Sequence, residues 1–117
     1  MPKTIPGSFN GSSAYSEATE AGGLVFLAGQ VAENASDGFE QEARAAFTTV
    51  GQRLEVVGLG FGDVVRCTVF LRRWGDFAAM NTIFREVFPA DPPARTTVGV
   101  TALARDCTIE LEVTAAR

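Results

Sequence analysis

Between Cys107 and Val113 the chain reads CTIELEV, alternating between apolar and polar side chains without a break. A strand turns successive side chains to opposite faces. Cys107, Ile109, Leu111 and Val113 therefore form an apolar face, with Thr108, Glu110 and Glu112 opposite. Such a strand requires a sheet with one face on a core and another face of different character. The stretch from Pro92 to Val100 alternates too, with Thr96, Val98 and Val100 on one side and Arg95, Thr97 and Gly99 on the other. If both strands lie in one sheet, Arg95 and Glu110 are expected to share its polar face. A guanidinium fork matches a carboxylate through two parallel hydrogen bonds, and a carboxylate beside it can hold or deprotonate a water. An interfacial ion pair is the plainer reading of the same two residues.

Upstream, residues 1–14 are rich in Gly, Ser and Pro and read as an irregular arm, available as an edge strand. Gly22 and Gly23 form a turn into a strand from Leu24 to about Val31, apolar enough to be largely buried on both sides. Gly29 inside it marks a bulge or a close backbone approach. A helix is predicted over about 38–57, with Asp37 and Glu40 as a capping box. Its apolar stripe is Phe39, Ala43, Ala46, Phe47, Val50, Leu54 and Val57, and Gly58 and Gly60 end it. Arg44, Gln52, Arg53 and Glu55 fall off the stripe and read as solvated, as do the loop charges Asp91 and Arg105. The next strand, Asp63 to Arg73, sets Val65, Cys67, Val69 and Leu71 against Arg66, Thr68, Phe70 and Arg72. Asp76 is expected to cap a second helix, about Phe77 to Phe88, with Phe77, Met80, Phe84, Val87 and Phe88 buried and Pro89 ending it.

This order gives an α+β chain whose two helices cover one face of a mixed sheet. The other face mixes Arg, Glu, Thr and Phe, too polar for a core and too apolar in places for free solvent. Association through that face resolves the conflict, so an oligomer is expected.

The 117 residues suit one domain spanning 1–117. A net charge of −4 argues against nucleic acid and anionic membranes as partners. The chain shows neither a signal peptide nor a stretch long enough to span a membrane, and a cytoplasmic location is expected. Cys67 and Cys107 read as buried free thiols rather than a disulfide. Histidine is absent, which removes Ser–His and Cys–His catalysis and His-ligated zinc. The GxG at Gly58–Gly60 follows a helix, not a strand, and is no dinucleotide loop. No cofactor or metal is implied.

Several pieces in order, AGGLVFLAGQV, FEQEARAAFTTVGQRLE, GDVVRCTVFL, DFAAMN, PPARTTVGVTAL and IELEV, resemble the RidA/YjgF family of enamine and imine deaminases. The resemblance implies a chorismate-mutase-like fold, a homotrimer with a central barrel of sheets, and ligand clefts between subunits. It implies that Arg95 binds a substrate carboxylate and Glu110 positions the attacking water, with Glu112 the alternative if the register slips. Tyr15, Gly29, Asn81 and Thr97 would border the ligand, an imino or keto carboxylate. Three positions depart from the family pattern: Thr97 stands where a Cys is common, Ala28 where a Ser is common, and Ser13–Ala14 where Gly-Pro is common. These bear on which substrate is used. The expected reaction is hydrolysis of a 2-imino acid to a 2-keto acid and ammonia; the alternative is a non-catalytic keto-acid binder using the same cleft.

Overall fold

In a computed structural model describing residues 14–33 and 37–117, five strands and two helices form two layers. The strands are β1 (Ala18–Ala21), β2 (Leu24–Leu27), β3 (Val64–Leu71), β4 (Ala94–Gly99) and β5 (Ile109–Ala116). The helices are α1 (Phe39–Val56) and α2 (Phe77–Val87). The sheet order is β1-β2-β5-β3-β4. Only the β3–β4 pair is parallel among the named strands. The sheet is thus mixed, with both helices on one face, as the order of elements implied.

Gly22 and Gly23 both take positive φ, the turn that matches strand twist in a two-residue hairpin. They join β2 to β1, a strand absent from the sequence reading. The α1 stripe is buried as expected, from Ala43 through Val57. Its C-terminus closes with Leu59 N–H donating to the Leu54 carbonyl and Gly58 N–H to that of Glu55. Gly58 sits at φ +80°, so this is a Schellman ending. The core lies between the helices and the face of the sheet bearing Val25, Leu27, Cys67, Val69, Leu71, Ile109, Leu111 and Val113. The arm expected at 1–14 lies outside the described residues except for Ala14.

Five local expectations are corrected. Asp37 does not cap α1: Gly38 is the N-cap, and the Asp37 N–H donates to Gln41 Oε1 at 3.0 Å. Asp76 occupies the N-cap of α2 without a side-chain cap bond. The β3–β5 register shifts between Val64 and Arg66, so Val64 takes the buried place and Val65 is turned out. Cys107 precedes β5 and is half-buried rather than inside the strand. β2 stops at Leu27 and leaves Leu24 and Phe26 exposed, because the face they occupy has no helix above it.

Thr108 is buried although it falls on the polar side of the alternation. Glu42 of α1 explains this: its two carboxylate oxygens accept the Thr108 N–H and hydroxyl, both at 2.7 Å. Losing a charged acceptor leaves both donors without their partner. Glu42→Ala is therefore expected to cost about 2–3 kcal/mol in urea unfolding, and a change below about 0.5 kcal/mol would mean the clamp carries no net stability.

Candidate functional site

Two clusters of candidate residues lie on opposite faces of the sheet. Arg95 pairs with Cys67 and Cys67 with Val113, and residues in register share a face. Arg95 therefore points to the helix side. Glu110 lies opposite Phe70, and Glu112 opposite Thr68, on the side without helices. The shared face expected for Arg95 and Glu110 is overturned by this register.

Arg95 is held by α2. Its Nη1 donates to Asn81 Oδ1 at 2.7 Å, and its guanidinium carbon lies 4.7 Å from the Phe84 ring centroid and 5.6 Å from that of Phe77. Aromatic faces attract a cation and fix the plane of the fork. No carboxylate among the described residues pairs with Arg95. Beside it is a cavity of about 320 Å³ lined by Asn81, Phe84, Phe88, Pro92 and Pro93. Thr97 shares this face of β4, two residues along, and pairs with Val69. The neighbouring thiol of Cys67 is pushed up to about 12, chiefly by burial, so it packs as a neutral group and is no nucleophile.

Glu110 belongs to a second cavity, of about 390 Å³, with Tyr15, Glu17, Gly29, Arg53 and Arg105 in its wall. The cavity exists because β2 and β5 part company. Phe26 pairs with Thr114, yet Gln30 bridges Leu111, so one extra residue is accommodated between them, a bulge. Gly29 lies in that bulge, and a Cβ there would collide with the Glu110 carboxylate. The close approach expected at Gly29 is thus to Glu110 itself. Glu110 has its carboxyl raised above the ordinary range, first by burial and second by the charge of Glu112. Glu112 is exposed and does not line the cavity, which separates the two acids that spacing left equivalent.

Gly29→Ala is expected to push the Glu110 carboxylate from its place and reduce turnover about 10- to 100-fold, since small displacements of reacting groups have effects of that size. Thermal unfolding should barely change. Full activity in that variant would show that Glu110 does not act from this position.

Tyr15, Gly29 and Glu110 are brought together, as are Arg95 and Asn81, but the two sets are apart within one chain. Arg53, expected to be solvated, is half-buried and pairs with Glu33 at 3.0 Å. Arg105 is exposed, as expected of a loop charge, and lines the Glu110 cavity from a left-handed backbone, φ +56°. Gln30, buried and donating to the Ala28 carbonyl at 2.9 Å, also went unread; the Gly-Gln pair was its only signal. Among the described residues no three His, Cys, Asp or Glu side chains gather as a metal would need. No helix there is long and apolar enough to cross a membrane.

A family model described as Endoribonuclease L-PSP, the RidA/YjgF group, matches residues 7–117. The chain belongs to the RidA/YjgF family. A relative named 2-iminobutanoate/2-iminopropanoate deaminase, from Dermatophagoides farinae, is 36% identical over 104 residues, covering 84% of this chain and 81% of that one. The solved structure of RidA from the Antarctic bacterium Psychrobacter sp. superposes with a TM-score of 0.86 at 26% identity, covering 100% of this chain and 99% of that one. The structure of Escherichia coli TdcF with bound serine gives 0.85 at 26%, covering 100% and 98%. RidA-type relatives thus share both the sheet order's outcome, a two-layer α+β fold, and most of the chain's length.

Proposed function

We propose that this RidA/YjgF protein hydrolyses 2-imino acids, formed from enamines such as 2-aminoacrylate, to 2-keto acids and ammonia. The observation that carries this is the Arg95 guanidinium: half-buried, oriented by Asn81 and two aromatic rings, and lacking a carboxylate partner among the described residues. Such a group is prepared for a small carboxylate from outside the chain. The name of the Dermatophagoides relative and the serine bound in TdcF point to the same ligand chemistry.

The chemistry needs little else. Arg95 anchors the substrate carboxylate. Glu110 takes a proton from a water as its oxygen bonds to the imine carbon and passes it to nitrogen, giving the carbinolamine. The same carboxylate then takes the hydroxyl proton as the keto C=O forms and delivers it to nitrogen as the C–N bond breaks and ammonia leaves. Asn81 holds the fork of Arg95, Tyr15 covers the acid from the rim, and Thr97 offers polar groups beside the carboxylate. Because imines hydrolyse unaided, positioning and proton transfer suffice.

Arg95 and Glu110 face opposite ways in one chain, so one anion reaches both only across a junction between chains. The reading therefore includes a homotrimer in which the Arg95 edge of one protomer closes over the Glu110 cavity of the next. Its sheets form a central barrel through the helix-free face. Support comes from the apolar groups left on that face, Leu24 and Phe26 among them, which an interface would cover. A cytoplasmic site of action accords with free thiols at Cys67 and Cys107. Cleavage of RNA, the activity in the family's description, fits less well: a net charge of −4 disfavours a phosphate backbone.

An amino-acid oxidase generating imines in the presence of the protein tests the activity through the rate of ammonia release. Acceleration is expected. A rise in melting temperature with keto acids but no acceleration would replace the enzyme with a binder.

A further inference from the structure

Trp74 is the chain's sole tryptophan, and it is 57% exposed. It stands in the short turn before α2, where an aromatic of that size would ordinarily find cover. Its indole is stacked on Phe77, centroids 5.2 Å apart at 28°. Phe77 is also one of the two rings beneath the Arg95 guanidinium. On the strand side, the Cβ position of Gly99 is 3.5 Å from the indole, an ordinary contact distance. Having no side chain, Gly99 lets the indole rest on β4 itself. Gly99 shares the strand face of Arg95 and Thr97. One strip of β4 thus carries a cation at Arg95, a hydroxyl at Thr97, and bare backbone roofed by an exposed indole at Gly99.

We propose that Trp74 is a specificity-determining residue: its indole receives the side chain of the 2-imino acid whose carboxylate Arg95 holds, favouring large apolar or aromatic side chains. This rests on the imino-acid reading above and goes beyond the three- and four-carbon imines in the name of the Dermatophagoides relative. The order of groups along the strip matches such a molecule, with the anion at one end and the hydrocarbon at the other. An apolar surface distinguishes hydrocarbon chains by about 10- to 200-fold per added methylene, and an aromatic face supplies large contact area with little entropy to lose.

The test compares imines made in situ from phenylalanine and leucine with those from alanine and 2-aminobutyrate, in wild type, Trp74→Ala and Trp74→Leu. Wild type should prefer the larger imines. Trp74→Ala should lower kcat/KM for them about tenfold while leaving the alanine-derived imine within twofold, and Trp74→Leu should restore the leucine-derived one in part. With one tryptophan in the chain, emission reads the site directly: 4-methyl-2-oxopentanoate should shift it more than pyruvate does, and neither should shift it in Arg95→Ala. Equal loss on all imines, or none, overturns the proposal, as does a change in assembly mass on Trp74→Ala with emission blind to ligand, which would make the indole a subunit contact. Failure of the underlying reading looks different: no imine is accelerated in wild type, or Arg95→Ala is as active as wild type.

Discussion

Arg95→Ala is expected to lower kcat/KM for a 2-imino acid about 30- to 1000-fold, equal to ~2–4 kcal/mol of transition-state stabilisation. The loss comes from a charge-assisted fork contact that nothing nearby can replace. Asn81, its hydrogen-bond partner, is neutral and at 2.7 Å from Nη1 serves to orient the fork. The folded chain should tolerate the change. Arg95 has no ion pair among the described residues, and what it gives up is the bond to Asn81 and its stacking on Phe84 and Phe77, about 1–2 kcal/mol together. Arg95→Lys keeps the charge but has no planar fork and stacks poorly, so it should recover only part of the rate. Steady-state kinetics on oxidase-generated imines, with thermal unfolding alongside, separates the two effects. Wild-type kinetics in Arg95→Ala would remove the residue from the mechanism.

The face of Arg95 was the least legible feature of the sequence. In ARTTVG both alternating sets are mixed, Arg95 with Thr97 and Gly99 against Thr96 with Val98, so nothing in the segment marks which set is buried. The decision is made by pairing to β3, where one residue of register would turn every side chain over. A long aliphatic stem also lets Arg lie against Phe84 without burying its charge unaided. β5 was legible because its sets differ sharply: Ile109, Leu111 and Val113 could only face a core. The α1 stripe was legible for the same reason. Val65 was misplaced because a bulge shifts the alternation without changing composition. The clamp of Glu42 on Thr108 joins residues 66 apart in sequence, a distance at which no local pattern speaks. Gly29 was the exception among the site residues. A glycine within an apolar strand pattern signalled close approach, and the neighbour proved to be the candidate acid.

Glu110→Gln should retain keto-acid binding and lose about 100-fold or more in turnover, the scale on which a positioned base acts. At neutral pH it should also unfold at a higher temperature than wild type. Burial, then the charge of Glu112, raises the Glu110 carboxyl above its usual range, so the folded chain prefers it protonated. The cost of ionising it is absent below its unfolded value, grows as pH rises through the folded value, and is full above that. Glutamine never bears this cost, so its gain should fade as pH falls. Activity runs the opposite way, because only the carboxylate accepts a proton from water. In the proposed trimer the neighbouring Arg95 would offset part of that shift while the cleft is empty; once a substrate carboxylate neutralises that guanidinium, burial would prevail in full. The acid limb of kcat, which reports the occupied enzyme, should therefore lie at higher pH than that of kcat/KM, which reports the free one. Coincident limbs would mean that the two clusters do not meet. Glu112→Gln, removing the exposed neighbour's charge, should move both limbs to lower pH while preserving turnover; if instead it abolishes turnover, the acid has been assigned to the wrong residue of the strand.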